Sequence, residues 1–134
     1  MDKVLTGAGW KLRLLEGWTG KSEPGEHVLV PPDGGAVLSI RTSRMSGGLT
    51  PRDLRYVARD HIEDGYEPEG VKLGDFEGLA FRYVEDDLYW RLWYVQNGPL
   101  RLQVNYDCPE SDQGKHDAAI DKILASLVID VGTI

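Results

Sequence analysis

The stretch Leu79-Ala80-Phe81-Arg82-Tyr83-Val84-Glu85-Asp86-Asp87-Leu88-Tyr89-Trp90-Arg91-Leu92-Trp93-Tyr94-Val95-Gln96-Asn97-Gly98-Pro99-Leu100-Arg101-Leu102-Gln103-Val104-Asn105-Tyr106 holds seven of the chain's twelve aromatic residues. Aromatic and branched side chains suit a pleated, half-buried surface, and the run is interrupted at Glu85-Asp86-Asp87 and Asn97-Gly98-Pro99, where turns are favoured. Three antiparallel strands follow. In the third, Leu100, Leu102, Val104 and Tyr106 point one way and Arg101, Gln103 and Asn105 the other, the alternation of a strand with one face in the core. The middle strand is apolar on both sides: Trp90, Leu92 and Tyr94 share one face, while Tyr89, Trp93 and Val95 share the other with Arg91. Asn97-Gly98 suits a two-residue hairpin but Pro99 cannot donate a closing hydrogen bond, so the turn leaves the register open, and a shift of one residue exchanges the faces. The favoured register packs Trp90, Leu92 and Tyr94 with Leu102 and Val104, because the alternative buries Arg91 beside them and a buried unpaired charge is costly.

In either register an aromatic cluster is left on the second face, and something must cover it. One of the chain's own helices, or its N-terminal segment, gives a layered sandwich with the sheet inside. A partner protein is the other candidate, since interfaces concentrate aromatic residues with arginine at the rim. The candidate protein-binding residues are therefore Tyr89, Arg91, Trp93 and Arg101, with Tyr89 and Trp93 at strand ends left open.

Working outward, Trp10 to Leu15 alternates apolar with basic residues and meets a turn at Glu16-Gly17-Trp18, a first strand. A polar stretch containing Gly20, Pro24 and Gly25 follows. His27-Val28-Leu29-Val30 then stops at Pro31-Pro32-Asp33-Gly34-Gly35, and Ala36 to Arg41 resumes it, which is a hairpin signal. Thr50 to Asp64 reads as a helix: Thr50 is a cap, Pro51 fits the first helical position, Leu49 and Leu54 form a staple, and Leu54, Val57, Ala58 and Ile62 recur at helical spacing. Gly65 ends it in a left-handed conformation. Val71 to Phe76 is a strand, with Glu77-Gly78 turning the chain into the aromatic meander. A second helix is expected from about Ser111, with Ile120, Ile123, Leu124 and Leu127 as its apolar stripe and His116 one turn earlier. The fold class is α+β: an α/β/α sandwich with a central antiparallel sheet of about six to seven strands and two main helices.

The 134 residues suit one domain spanning 1–134. No apolar run approaches the roughly 20 residues of a membrane-spanning helix. Met1 to Gly7 shows no basic region followed by an apolar block, from which a cytoplasmic placement is expected. Cys108 is the only cysteine, so no internal disulfide forms and no thiolate metal-site spacing exists. Net charge is −7, with acidic residues concentrated at Glu63-Asp64, Glu67, Glu69, Glu85-Asp86-Asp87 and Asp107 to Asp112. Such a surface repels nucleic-acid phosphates and is compatible with a basic protein partner.

Leu15-Glu16-Gly17-Trp18, the strand reaching Pro31-Pro32-Asp33-Gly34, the capped helix, the long meander and the closing Asp121-Lys122-Ile123-Leu124-Ala125-Ser126-Leu127 together resemble the PsbP-like superfamily, in its bacterial cytoplasmic branch. That superfamily spans photosystem extrinsic subunits, a eukaryotic Ran-release factor and bacterial proteins. The resemblance implies an α/β/α sandwich and a non-enzymatic binder, since members include cytoplasmic chaperones for secreted toxins. It transfers no functional residues, because the matching positions are turns and core.

The expected function is a non-enzymatic, cytoplasmic protein-binding module of adaptor or secretion-chaperone type, whose partner is another protein and neither nucleic acid nor membrane. An immunity-type inhibitor capping a basic toxin is an alternative. A third class is a small-ligand carrier or enzyme with a pocket between sheet and helix. There Cys108 would be the nucleophile, activated by a histidine such as His27, His61 or His116, although its acidic neighbours oppose the thiolate. The two helical histidines are more simply partly buried and hydrogen-bonded, and Glu85-Asp86-Asp87 lacks the spaced oxygen ligands of a calcium loop. No cofactor signature is present, since the Gly7-Ala8-Gly9 and Gly17 to Gly20 elements lack phosphate-loop spacing.

Overall fold

The computed structural model describes residues 3–44 and 51–130, with side chains described from residue 54 onward in the second segment. The strands are β1 (Lys3–Thr6), β2 (Trp10–Leu14), β3 (Thr19–Glu23), β4 (Glu26–Val30), β5 (Val37–Arg44), β6 (Glu69–Leu73), β7 (Phe76–Glu85), β8 (Leu88–Asn97), β9 (Leu100–Pro109) and β10 (Val128–Ile129). The helices are α1 (Pro51–Val57), α2 (Arg59–Glu63) and α3 (Asp117–Ala125), with a 3-10 turn at Glu110–Asp112. Seven strands form one antiparallel sheet in the order β3-β4-β5-β9-β8-β7-β6, and β1-β2-β10 form a second, smaller one. The α+β architecture and the seven-stranded central sheet agree with the sequence reading. The small sheet is additional.

The meander occupies the strands expected of it, but in the register opposite to the favoured one. Trp93 pairs with Val104, Val95 with Leu102 and Arg91 with Tyr106, so Tyr89, Arg91, Trp93 and Val95 face the main core with Leu100, Leu102, Val104 and Tyr106. Two physical reasons account for this. The loop residues are Gly98 and Pro99, flanked by the Asn97–Leu100 pair, and Gly98 has φ 57°. A glycine with positive φ at the first central position is the type II′ requirement, and a proline at the second needs no hydrogen bond there. Arg91, though only 5% exposed, is not unpaired: α3 supplies Asp117 and Asp121 to it.

Both faces of β8 are covered, as the layered reading requires. On one, Trp10, Leu12 and Leu14 of β2 and Ile120, Ile123 and Leu124 of α3 close over the sheet, together with Leu127 beyond the helix. On the other, Leu54 and Ala58 from the α1–α2 segment pack on Phe81, Leu92 and Tyr94, with Val57, Ile62, Tyr66, Leu79 and Tyr83 around them. Burial of each large apolar side chain here contributes about 1.5–3 kcal/mol. Over the β5–β9 part of this second face, Ser39, Gln103 and Asn105 remain half-buried and Arg41 exposed.

Several local boundaries differ from expectation. β3 lies in what reads as a polar stretch; all five of its residues are exposed, so no alternation marks it. The Thr50–Asp64 helix is divided at Ala58, which has φ −91° and ψ 9°; His61 N–H donates to the Ala58 carbonyl at 3.1 Å, a tightened three-residue bond. The proposed Thr50 cap and Leu49 staple lie outside the described residues. Gly65 behaves as read, with φ 93° and with the Tyr66 N–H to His61 carbonyl and Gly65 N–H to Ile62 carbonyl bonds of a Schellman motif. The second helix begins at Asp117 rather than near Ser111, because Gly114 adopts φ 85° and interrupts the helical path. The turn into β7 is at Gly74-Asp75, and Gly78 lies within the strand opposite Val95.

Candidate functional site

The four sequence-nominated residues separate into two places. Tyr89, Arg91 and Trp93 are interior, at 2%, 5% and 2% exposure, so none presents an open strand end to a partner. α3 and the register described above put them there. Arg101 lies on the opposite face of the sheet, half-buried, with its Nε donating to Ser43 Oγ at 3.1 Å.

Around Arg91 the chain builds a compact ionic cluster. Arg91 and Arg82 are directly opposite on β8 and β7, an arrangement in which like charges repel. Asp117, first residue of α3, lies between them: its Oδ1 is 3.4 Å from Arg91 Nη1 and its Oδ2 3.5 Å from Arg82 Nη1. Tyr89 donates its hydroxyl to the same carboxylate at 3.3 Å. Asp121, one helical turn later, accepts from Arg91 Nη2 at 2.9 Å. The guanidinium also lies 4.6 Å from the centroid of the Trp93 ring, a cation–π contact. Asp117 and Asp121 are the residues that sequence reading missed. Their spacing of four puts both on one helix face, and that was the available signal.

Arg82, Arg91, Trp93 and Asp121 of this cluster line a cleft of about 290 Å³ between α3 and the sheet, running from Arg91 and Trp93 on β8 past Ala80 and Arg82 on β7 to Glu69 and Val71 on β6. Asp121 and Ala125 form its helical wall. A second cleft of about 490 Å³ opens on the other sheet face at the same strand, bounded by Leu54 and Arg55 of α1, Gly70 and Lys72 of β6, and Leu79 of β7. The space reaches Gly70, where an added Cβ would meet nothing within 4 Å. Between the clefts, β6 is the last strand of the sheet and pairs only with β7 among the described residues. An edge strand of this kind presents unpaired backbone donors and acceptors.

Cys108 is 2% exposed, and burial pushes its thiol up from the ordinary value, which disfavours the nucleophilic thiolate. Each histidine is engaged elsewhere. His27 Nδ1 is 2.9 Å from Ser22 Oγ, and His116 Nε2 is 3.4 Å from Asp33. His61 lies 3.4 Å from the Tyr83 hydroxyl and 3.3 Å from that of Tyr94. The acidic run at Glu85-Asp86-Asp87 is the β7–β8 hairpin turn, with both aspartates at positive φ.

No family profile matches the sequence, and no curated protein matches it. Solved structures do match the fold. LpqN of Mycobacterium tuberculosis, described as involved in cell envelope biogenesis, is similar with TM-score 0.69 and 15% identity, covering 96% of this chain and 90% of that one. The solution structure of cyanobacterial PsbP (CyanoP) from Synechocystis gives TM-score 0.63 and 16% identity, covering 96% and 92%. A crystal structure from Bacteroides thetaiotaomicron gives TM-score 0.67 and 15% identity over 99% of this chain, which spans 49% of that protein. The expectation of a cytoplasmic placement is corrected by these findings: a protein of this architecture acts in cell envelope biogenesis, so the cytoplasmic assignment drawn from the first seven residues does not stand. The layered sheet, the closing helix and these three structural matches establish that the chain has a PsbP-like fold.

Proposed function

We propose that this chain is a non-catalytic protein-binding module that receives an extended segment of a partner protein as an added strand along β6. The observation that supports the reading is the pair of clefts at that edge, one on each sheet face. Side chains of a strand alternate between faces, so successive residues of an added segment enter the two clefts in turn while its backbone bonds to β6. Backbone pairing supplies affinity and the clefts supply selectivity. The buried, deactivated thiol of Cys108 argues against the competing catalytic reading. The net charge of −7 favours protein over nucleic acid as the partner, and the role described for LpqN makes the cell envelope the first compartment in which to seek it.

The test is selection of short random peptides on the purified protein, followed by titration of the enriched peptides into isotope-labelled protein. Shifted and exchange-protected amides across Glu69–Leu73, with smaller changes in α1 and α3, are expected. Binding that perturbs Thr19–Glu23 or the β5–β9 face instead, or no enrichment at all, refutes the reading.

A further inference from the structure

We infer that the strand added to β6 carries an aromatic residue opposite Gly70 and an acidic residue two positions away, opposite Lys72. This inference rests on strand addition at β6 and names the side chains that the added strand presents on the α1 face.

The two faces of β6 differ. Val71 and Leu73 pack against the main core on the α3 side, so alternation puts Gly70 and Lys72 on the α1 face. Gly70 pairs with Leu79 of β7, and Leu79 belongs to the cluster around Leu54 and Ala58. An added strand lies one inter-strand spacing, roughly 4.8 Å, outside β6. Its side chains on this face are therefore direct cross-strand neighbours of Gly70 and Lys72, with no strand between.

The chain itself supplies no reason for a glycine at position 70. Its φ is not in the left-handed region, and an added Cβ would meet nothing within 4 Å, so neither conformation nor crowding calls for it. A glycine inside a strand marks a place where another group approaches closely. The cleft of about 490 Å³ beside it, with Leu54 and Leu79 on its walls, is room for that group. An aromatic side chain directly across from a strand glycine lies over the bare backbone and covers it. Here the same ring goes on to meet Leu79 in the strand behind. Two inter-strand spacings, roughly 10 Å, separate those backbones, and the ring from one side and the leucine from the other close the gap. Shorter aliphatic chains leave part of it empty.

Charge selects the second residue. Arg55 and Lys72 border the same cleft and are exposed, and neither forms an ion pair among the described residues. Glu77 lies across from Lys72 on the β7 side, so the cleft border carries two cations and one anion on a chain whose net charge is −7. The outer side of Lys72 is open among the described residues, since β6 pairs only with β7. Opposite charges directly across two strands attract and like charges repel, so a carboxylate is favoured there and a lysine or arginine is rejected. The remaining negative charge of the chain does not prevent this, because at physiological salt charges more than about 8 Å away are largely screened. Gly70 and Lys72 are two residues apart on one face, so the partner segment reads aromatic, any residue, acidic, in one direction or the other. The intervening residue turns to the α3 face beside Val71.

The peptides enriched on the wild-type protein test this directly, and an aromatic and an acidic residue separated by one position are expected in them. Such a peptide is then titrated into isotope-labelled wild type and the double variant Arg55→Gln/Lys72→Gln, with circular dichroism confirming that the variant folds. The ring should move the Gly70 α-protons and the Leu79 methyls upfield. Replacing the aromatic residue by alanine should abolish those shifts and weaken binding about tenfold. Replacing the acidic residue by its amide should weaken binding about fivefold on wild type and no more than about 1.5-fold on the double variant. Peptides that perturb the Glu69–Leu73 amides without this spacing, leave Gly70 and Leu79 unshifted, or lose as much affinity on the double variant overturn the side-chain assignment and leave strand addition standing. Peptides that fail to perturb those amides overturn both.

Discussion

The large sheet ends in two quite different edges, β3 and β6. Both are five residues long and both present unpaired backbone to the outside among the described residues. At β3, one face is filled: a Cβ on Gly20 would sit 3.2 Å from both Leu14 Cδ1 and Leu5 Cδ1. The other face carries exposed Thr19, Lys21 and Glu23, with a Lys21–Glu23 pair at 3.7 Å. At β6, Gly70 meets nothing, and space adjoins the strand on both faces. An edge becomes a receptor through the room beside it for side chains, not through its free hydrogen-bonding groups alone. The small sheet β1-β2-β10 provides the filling at one edge; α1 and α3 leave gaps at the other.

That contrast can be broken at its ionic clamp first. Asp117→Ala removes the carboxylate between Arg82 and Arg91 and leaves two opposed arginines, one of them desolvated. A loss of about 3 kcal/mol in denaturant unfolding is expected, with β6–β8 amides exchanging faster than those of β3–β4. A loss below about 1 kcal/mol would show that α3 does not depend on the cluster for its position.

A smaller effect comes from making the same substitution at both edges. Gly20→Val forces extra methyls against Leu5 and Leu14 and should cost about 1–2 kcal/mol. Gly70→Val enters open space, gains strand propensity and should change stability by no more than about 0.5 kcal/mol in the destabilising direction. Equal costs at the two sites would erase the distinction drawn between the edges.

The smallest effect concerns pH. Burial lowers the pKa of His27, on β4 beside β3, below the ordinary 6.5, so the unfolded chain binds a proton at a higher pH than the folded one does. Its contribution to stability is therefore complete above about pH 6.5 and is lost as pH falls through the lowered folded value. The fall in stability from neutral to mildly acidic pH should shrink in His27→Gln, and amide exchange should report it at β3–β4 before β6. An unchanged pH profile in the variant would exclude His27 as the source.

The meander and its two internal turns could be read from local chemistry: aromatic and branched runs punctuated by Glu85-Asp86-Asp87 and Asn97-Gly98-Pro99. The register could not, because the partners that neutralise Arg91, Asp117 and Asp121, come from a helix beyond β9. A local pattern carries no record of a compensating charge that distant. β3 escaped notice for the opposite reason, since a strand exposed on every residue leaves no hydrophobic signature. Gly74-Asp75 and Glu77-Gly78 both resemble turns in composition, and only pairing with β8 distinguishes them. Of the residues nominated from the sequence, Tyr89, Arg91 and Trp93 converge in the interior, and only Arg91 and Trp93 line a cleft. The β6 edge itself depends on what is missing beside it, and gaps have no sequence signal apart from a glycine such as Gly70.

The Arg91–Trp93 contact at 4.6 Å has an optical consequence. An indole's excited-state dipole responds to a charge held over its ring, so Trp93 emission depends on how the guanidinium above it is neutralised. Of the chain's four tryptophans, Trp93 alone lines that cleft, and a Trp93→Phe difference spectrum isolates its signal. The protein thus carries its own unlabelled fluorophore at the floor of the cleft under α3, able to register a change in how Arg91 is neutralised.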